Sequence, residues 1–239
     1  PMTDRGTFDV AAMIAALTPH THVLMFSCPS NPVGCTLSAD ELQQLLDALP
    51  SKCLLVFDEA YYEYAQWEAE YPDCLGLIQA SGKPFILLRT FSKAYSLAGL
   101  RIGYGIVSDP LLADLINRLR TPFNVNSVAQ AAAIAALADD GHLNACLSHV
   151  ASERRRLEVA LHEQGITTAP SLANFLFFST PYPAEVINQA LLREGVIIKP
   201  WREVGYTEYL RVSVGSCEDN DLFLHALASV LAALETRAD

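Results

Sequence analysis

The sequence predicts an α/β protein in two parts. Residues 1–125 form a large domain on a mostly parallel sheet, and residues 126–239 supply connecting helices and a small α+β domain. Two patterns lead there. From about residue 10 to residue 120, short apolar runs alternate with segments of helical period, as in a parallel sheet with crossover helices. After Pro122 two longer helical stretches replace that alternation, and mixed strands and helices follow.

The elements read in order. Residues 23–26 form a strand, followed by the turn-rich loop Pro29-Ser30-Asn31-Pro32-Val33-Gly34. Ser38 and Glu41 have the spacing of a capping box, and Leu42, Leu45, Leu46 and Leu49 supply a helical stripe behind it. Residues 53–57 are the next strand, ending at Asp58-Glu59. Residues 85–88 are a third and 102–107 a fourth. Pro110 suits the first turn of a helix carrying Leu111, Leu112, Leu115, Ile116 and Leu119.

An alanine-rich helix over 127–138 precedes a longer one over 143–164, which bears Arg154, Arg155 and Arg156 and is closed by Gly165. A strand at 174–178 follows, then a helix opened by Pro183 and stopped by Gly195. Strands at 196–198 and 210–214 and a terminal helix from Glu218 complete the chain.

Half of the residues are hydrophobic and 18% are charged, which specifies a folded core. A net charge of -11 argues against nucleic acid or an anionic membrane as a partner, while leaving room for a local basic pocket. The six cysteines show no CxxC pair and no neighbouring histidine cluster, so they read as reduced thiols of a cytoplasmic protein and not as metal ligands. No apolar run reaches membrane-spanning length, and the first residues lack a basic segment followed by an apolar one, so a soluble, untargeted chain is expected.

Candidate chemistry collects at the C-terminal ends of the expected parallel strands, where open α/β sheets bind ligands. Asn31 follows the first strand, Asp58 and Tyr61 the second, and Thr90, Ser92 and Lys93 the third. Each has an ordinary reading: a turn for Asn31-Pro32, a solvated strand end for Asp58-Glu59, an aromatic pair for Tyr61-Tyr62, a surface ion pair for Arg101. Gly103-Tyr104-Gly105 lies inside a strand, which discounts a dinucleotide fingerprint and with it a nicotinamide dehydrogenase. Together, their order and spacing favour chemistry. An ammonium just past a buried strand is costly unless it has a partner or a task, and the task that fits is holding an aldehyde cofactor as a Schiff base.

Four segments carry a family resemblance: Asn31-Pro32-Val33-Gly34, Asp58-Glu59-Ala60-Tyr61, Thr90-Phe91-Ser92-Lys93-Ala94 and Gly99-Leu100-Arg101-Ile102-Gly103. In this order they resemble the signatures of fold-type I pyridoxal-phosphate aminotransferases, and most nearly those of histidinol-phosphate aminotransferases. Ala173-Asn174-Phe175, Gly195-Val196-Ile197-Ile198-Lys199-Pro200 and Tyr209-Leu210-Arg211-Val212-Ser213-Val214-Gly215 resemble the small-domain segments of the same subgroup.

The resemblance implies pyridoxal 5'-phosphate held on Lys93, which also shuttles the proton. It assigns Asp58 to the pyridinium nitrogen, Asn31 and Tyr61 to the phenolic oxygen, and Thr90, Ser92 and Arg101 to the phosphate. Arg211 would grip the substrate carboxylate, Asn174 would orient it, and Lys199 would attract a substrate phosphate. The implied reaction moves an amino group from L-histidinol phosphate to 2-oxoglutarate, in a homodimer acting on small molecules in histidine biosynthesis.

Rival readings are an aromatic amino-acid aminotransferase, a phospho-amino-acid decarboxylase and a non-catalytic remnant. Val33 replaces the usual threonine, Ser30 a frequent asparagine, and Lys199 a frequent arginine, which removes a bidentate fork. Family chains are also longer at the N-terminus. Their phosphate-binding turn and the aromatic residue stacked on the ring have no counterpart here, so weakened cofactor binding is expected of this stretch.

Overall fold

Burial alternates along the central strands with a period of two, and this alternation places everything that follows. In the computed structural model, which describes residues 1–68 and 70–238, Leu55 and Phe57 of one strand and Phe85 and Leu87 of the next are at most 3% exposed. Their neighbours Val56, Asp58, Ile86 and Leu88 face the other way and are more open. One sheet face is therefore core, where each large side chain contributes about 1.5–3 kcal/mol, and the other face borders a cleft.

The elements run α1 (Val10–Ala15), β1 (Val23–Ser27), α2 (Ala39–Ala48), β2 (Leu54–Asp58), α3 (Tyr62–Gln66), α4 (Cys74–Ala80) and β3 (Phe85–Thr90). A 3-10 turn (Ala98–Leu100), β4 (Gly103–Val107), α5 (Pro110–Arg118) and α6 (Ser127–Leu137) follow. The expected capping box starts α2: the Ser38 hydroxyl accepts the Glu41 N–H while Glu41 accepts the Ser38 N–H. Leu42, Leu45 and Leu46 are buried.

The sheet order is β1-β2-β3-β4, parallel from β1 to β3. The fourth strand departs from the parallel pattern and runs antiparallel to β3. The connection between Thr90 and Gly103 holds a 3-10 turn and no crossover helix, the element that usually carries a parallel return. Pro110 does open α5, with Asp109 as its cap. Its apolar stripe, however, is open, with Leu111 66% and Leu119 84% exposed. The short helices α1, α3 and α4 lack the apolar repeat of a longer helix, and they were not anticipated.

The contacts divide the described chain into two units: residues 1–31 with 35–147, and residues 32–34 with 148–239. This division falls inside α7 (Asp140–Glu163), C-terminal to the boundary after residue 125 expected from the sequence. The second unit holds the rest of that helix, then β5 (Phe175–Ser179), α8 (Ala184–Arg193), β6 (Lys199–Pro200), β7 (Tyr209–Ser213) and α9 (Cys217–Ala238).

Its sheet is antiparallel in the order β5-β7-β6. Leu176, Phe178, Leu210 and Val212 join Leu157, Ile187, Leu191, Phe223 and Leu227 in one core. The strand expected at 196–198 is displaced to Lys199–Pro200. Val196 and Ile198 are buried in that core without sheet pairing, their burial alternating with the exposed Ile197. Among the described residues, no helix is long and apolar enough to cross a membrane.

Candidate active site

In the first unit an open cleft of about 980 Å3 lies along the sheet face that carries Val56, Asp58, Ile86 and Leu88. Asp58, Thr90, Ser92, Lys93 and Arg101 all line it. Register explains the convergence. Asp58 sits opposite Ser27 on one side and Leu88 on the other, so the strand ends of β1, β2 and β3 are level and the loops leaving them meet.

Asp58 closes its own turn by accepting the Ala60 N–H at 2.9 Å. Tyr61, buried at the start of α3, accepts a hydrogen bond from the Asn31 side-chain amide at 3.3 Å, and the Lys93 ammonium stands 5.2 Å from its ring centroid. Asn31, Tyr61 and Lys93 thus form one connected group.

The loop after β3 is shaped by its backbone. Thr90 Oγ1 accepts the Ser92 N–H at 3.1 Å and donates to the Ile102 carbonyl at 3.3 Å. The Phe91 N–H also donates to Ile102, and the Leu97 N–H to Phe91, so Lys93 rides on a folded turn. Ser96 and Arg101 both have left-handed backbones, with φ of 58° and 56°. For residues other than glycine that conformation is uncommon and marks a constrained turn. Arg101 follows the 3-10 turn, is exposed, and donates from Nη1 to the Ala98 carbonyl at 2.9 Å.

Gly103, on the cleft wall, is needed for the close approach of β4 to β3. A Cβ there would come 2.7 Å from the Arg89 carbonyl oxygen. From the far wall the cleft also takes Asn117, Arg120 and Asn124, which no motif announced.

Directly under this surface, on the buried face, lies a polar cluster that the sequence reading passed over. Glu59, read as a possible solvated strand end, is wholly buried and meets Arg89 at 2.8 Å. Arg89 in turn stacks on Tyr62, its guanidinium carbon 3.3 Å from the ring centroid. Burial raises the Glu59 carboxyl above its ordinary value, with Arg89 opposing. Burial likewise pushes the Glu63 carboxyl up to about 7; its Oε2 is buried with no hydrogen-bond partner among the described residues. The available signal was Arg89 itself, a charge ending an apolar strand beside Asp58-Glu59.

Asn174, Lys199 and Arg211 fall in the second unit. Arg211 of β7 is in register with Phe177 of β5 and Lys199 of β6, so the two cations share a sheet face, opposite the one bearing Leu176, Phe178, Leu210 and Val212. Phe177 anchors an aromatic group there: Tyr209 stacks on it at 4.9 Å, Trp201 meets it edge-on at 5.8 Å, and Tyr206 flanks both. Lys199 stands 5.8 Å from the Trp201 ring. Asn174 immediately precedes β5, its carbonyl accepting the Val214 N–H, and the Ala173 carbonyl accepts from the buried Arg154 at 3.0 Å.

A family profile described as "Aminotransferase class I and II" matches residues 1–227. The chain belongs to that family. Among curated relatives, it is 48% identical to histidinol-phosphate aminotransferase 1 of Mesorhizobium japonicum over 96% of this chain and 62% of that protein. It is also 48% identical to histidinol-phosphate aminotransferase 3 of Rhizobium meliloti, over 94% of this chain and 60% of that one.

A crystal structure of histidinol-phosphate aminotransferase from Sinorhizobium meliloti, in complex with pyridoxal-5'-phosphate, superposes with a TM-score of 0.86 at 31% identity. The match covers 98% of this chain and 64% of that one. The aminotransferase fold expected from the sequence is therefore the fold observed. The chain spans about three fifths of the length of the curated relatives it matches.

Proposed function

We propose that the intact protein is a pyridoxal-phosphate-dependent histidinol-phosphate aminotransferase, transferring an amino group from L-histidinol phosphate to 2-oxoglutarate. The observation that carries this reading is the convergence of Asp58, Thr90, Ser92, Lys93 and Arg101 on one cleft. The names borne by the relatives at 48% identity support the choice of substrate. Cytoplasmic location and a homodimeric assembly belong to the same proposal.

The residues present fit the cofactor. A carboxylate, two hydroxyls, a guanidinium and a primary amine face a cleft of about 980 Å3, near the upper end of ordinary ligand pockets. When bound, pyridoxal phosphate supplies an electron sink for negative charge developing on the substrate carbon.

The protein's own residues do the rest. Asp58 keeps a proton on the ring nitrogen, and Asn31 and Tyr61 hydrogen-bond the phenolic oxygen. Ser92 and Arg101 hold the phosphate through hydroxyl and forked guanidinium donors. Thr90 joins them by turning its hydroxyl away from the Ile102 carbonyl, a bond long enough at 3.3 Å to be displaced. Lys93 would hold the cofactor's aldehyde through its amine and, as a free amine, would serve as the base and acid that moves the substrate's proton. Arg211 grips the substrate carboxylate, Asn174 orients it, and Lys199 attracts the substrate phosphate as a point charge.

An aromatic amino-acid aminotransferase is the second reading, favoured by the rings of Phe177, Trp201, Tyr206 and Tyr209 beside Lys199. Steady-state kinetics of the intact protein with histidinol phosphate and with phenylalanine, each against 2-oxoglutarate, separate the two. The proposal expects kcat/KM at least about tenfold higher for histidinol phosphate, roughly 1.4 kcal/mol of discrimination. Equal or faster turnover of phenylalanine would sink it.

A further inference from the structure

Three loops deliver the candidate site, and a partly buried network centred on the buried Glu59 ties them together. Glu59 immediately follows Asp58; its Oε2 accepts the Nε–H of Arg89 at 2.8 Å and lies 2.8 Å from Nη2 in the same ion pair. Arg89 immediately precedes Thr90. Its guanidinium lies 3.3 Å over the ring of Tyr62, which immediately follows Tyr61. The Tyr71 hydroxyl lies 3.0 Å from Glu59 Oε1 and 3.1 Å from the carbonyl of Cys28, three residues before Asn31, so its single proton serves both acceptors.

Stability alone gives little reason for these charges. The preceding rows on the same sheet face are apolar, Leu55 and Phe57 on β2 and Phe85 and Leu87 on β3, all buried. A further apolar pair would extend that core, and replacing a buried ion pair by well-packed apolar residues is often neutral or stabilising. What an ion pair adds is direction. One hydrogen bond within the ion pair and a stacked guanidinium give the contact between β2 and β3 a direction where the chain turns into the site.

We propose that Glu59, Arg89, Tyr62 and Tyr71 form a positioning network that aligns the loops bearing Asn31, Asp58–Tyr61 and Thr90–Lys93 for the cofactor. This rests on the pyridoxal-phosphate reading above. Arg89 lines the cleft while Glu59, Tyr62 and Tyr71 do not, and on this proposal the four act through Asp58, Asn31 and Lys93.

The test uses the intact protein and pyridoxal phosphate itself. Thermal melts, cofactor affinity, and the pH midpoint of the visible band of the lysine–cofactor adduct are measured for wild type, Glu59→Leu/Arg89→Leu and Tyr71→Phe. The double variant is expected to melt no lower than wild type, bind cofactor about tenfold more weakly and show a displaced midpoint. Unchanged affinity and midpoint in a folded double variant would overturn the proposal, leaving the pair a core feature only.

Should the double variant not fold, Tyr71→Phe decides, since it keeps the Glu59–Arg89 ion pair and removes only the hydroxyl that links Glu59 Oε1 and the Cys28 carbonyl. A displaced midpoint supports the network, and an unchanged one overturns it. Absence of any adduct in the wild type would overturn the cofactor reading and this proposal together. An adduct in the wild type with unaltered variants overturns the network alone.

Discussion

The Asn31 side-chain amide donates to the Tyr61 hydroxyl across 3.3 Å, joining residues 30 positions apart. This bond links the loop after β1 to the start of α3, beside Lys93. If both groups serve the cofactor's phenolic oxygen, Tyr61→Phe leaves more negative charge there to hold a neighbouring proton. The pH midpoint of the adduct's visible band should then rise, with cofactor still bound. A pH titration of absorbance checks this, and a fall in the midpoint would contradict the assigned role.

Asp58 lines the cleft from the end of β2, its backbone pinned on both sides by the sheet. Asp58→Asn keeps the shape and removes the charge that holds the ring-nitrogen proton. The expected result is an intact adduct with amino transfer at least about 100-fold slower, about 2.7 kcal/mol of lost transition-state stabilisation. Single-turnover rates measure it, and a loss below threefold would show that Asp58 does not perform that task.

Glu63 gives a pH signature of a different kind. Its carboxyl is raised to about 7 by burial, so between about pH 4.5 and 7 the folded protein keeps a proton that the unfolded chain has released. Stability from this group is therefore present at low pH and falls as pH rises through that window, by on the order of 2–4 kcal/mol. Glu63→Gln removes the titration. The melting-temperature difference between variant and wild type should be small near about pH 4.5 and grow in the variant's favour by about pH 8. A difference independent of pH would disprove the assignment.

Gly34 has φ of +97°, and a Cβ there would lie 2.1 Å from Ser171 Oγ. Ser171 cannot easily turn aside, because its hydroxyl donates to the Phe175 carbonyl and accepts the Ala173 N–H. Gly34→Ala should cost about 1–3 kcal/mol in urea unfolding, from backbone strain and overpacking together. A change within 0.5 kcal/mol, the usual range for an inert surface site, would mean that the loop relaxes freely.

Local rules made much of this molecule legible. The Ser38–Glu41 box, the leucines of α2 and the proline opening α5 act through neighbours within a turn or two, and sequence records such neighbours directly. The positions of Asn31, Asp58 and Lys93 followed from strand ends, because parallel strands in register bring their exits together. What was not legible depends on partners distant in sequence. Glu59 and Arg89 are 30 residues apart, and only strand pairing turns a strand-end acid and a strand-end base into a buried pair. The reversal of β4 goes with a connection that lacks a crossover helix, and the displaced β6 rests on which residues meet β7. Neither is a property of the strand's own composition.

The central claim is that Lys93 carries the cofactor. Incubating the intact protein with pyridoxal phosphate, reducing with borohydride and mapping the modified peptide by mass spectrometry tests it most directly. The account predicts a single stoichiometric phosphopyridoxyl group on Lys93, lost in Lys93→Ala. Modification spread over other lysines, or persisting at the same level in Lys93→Ala, would contradict it.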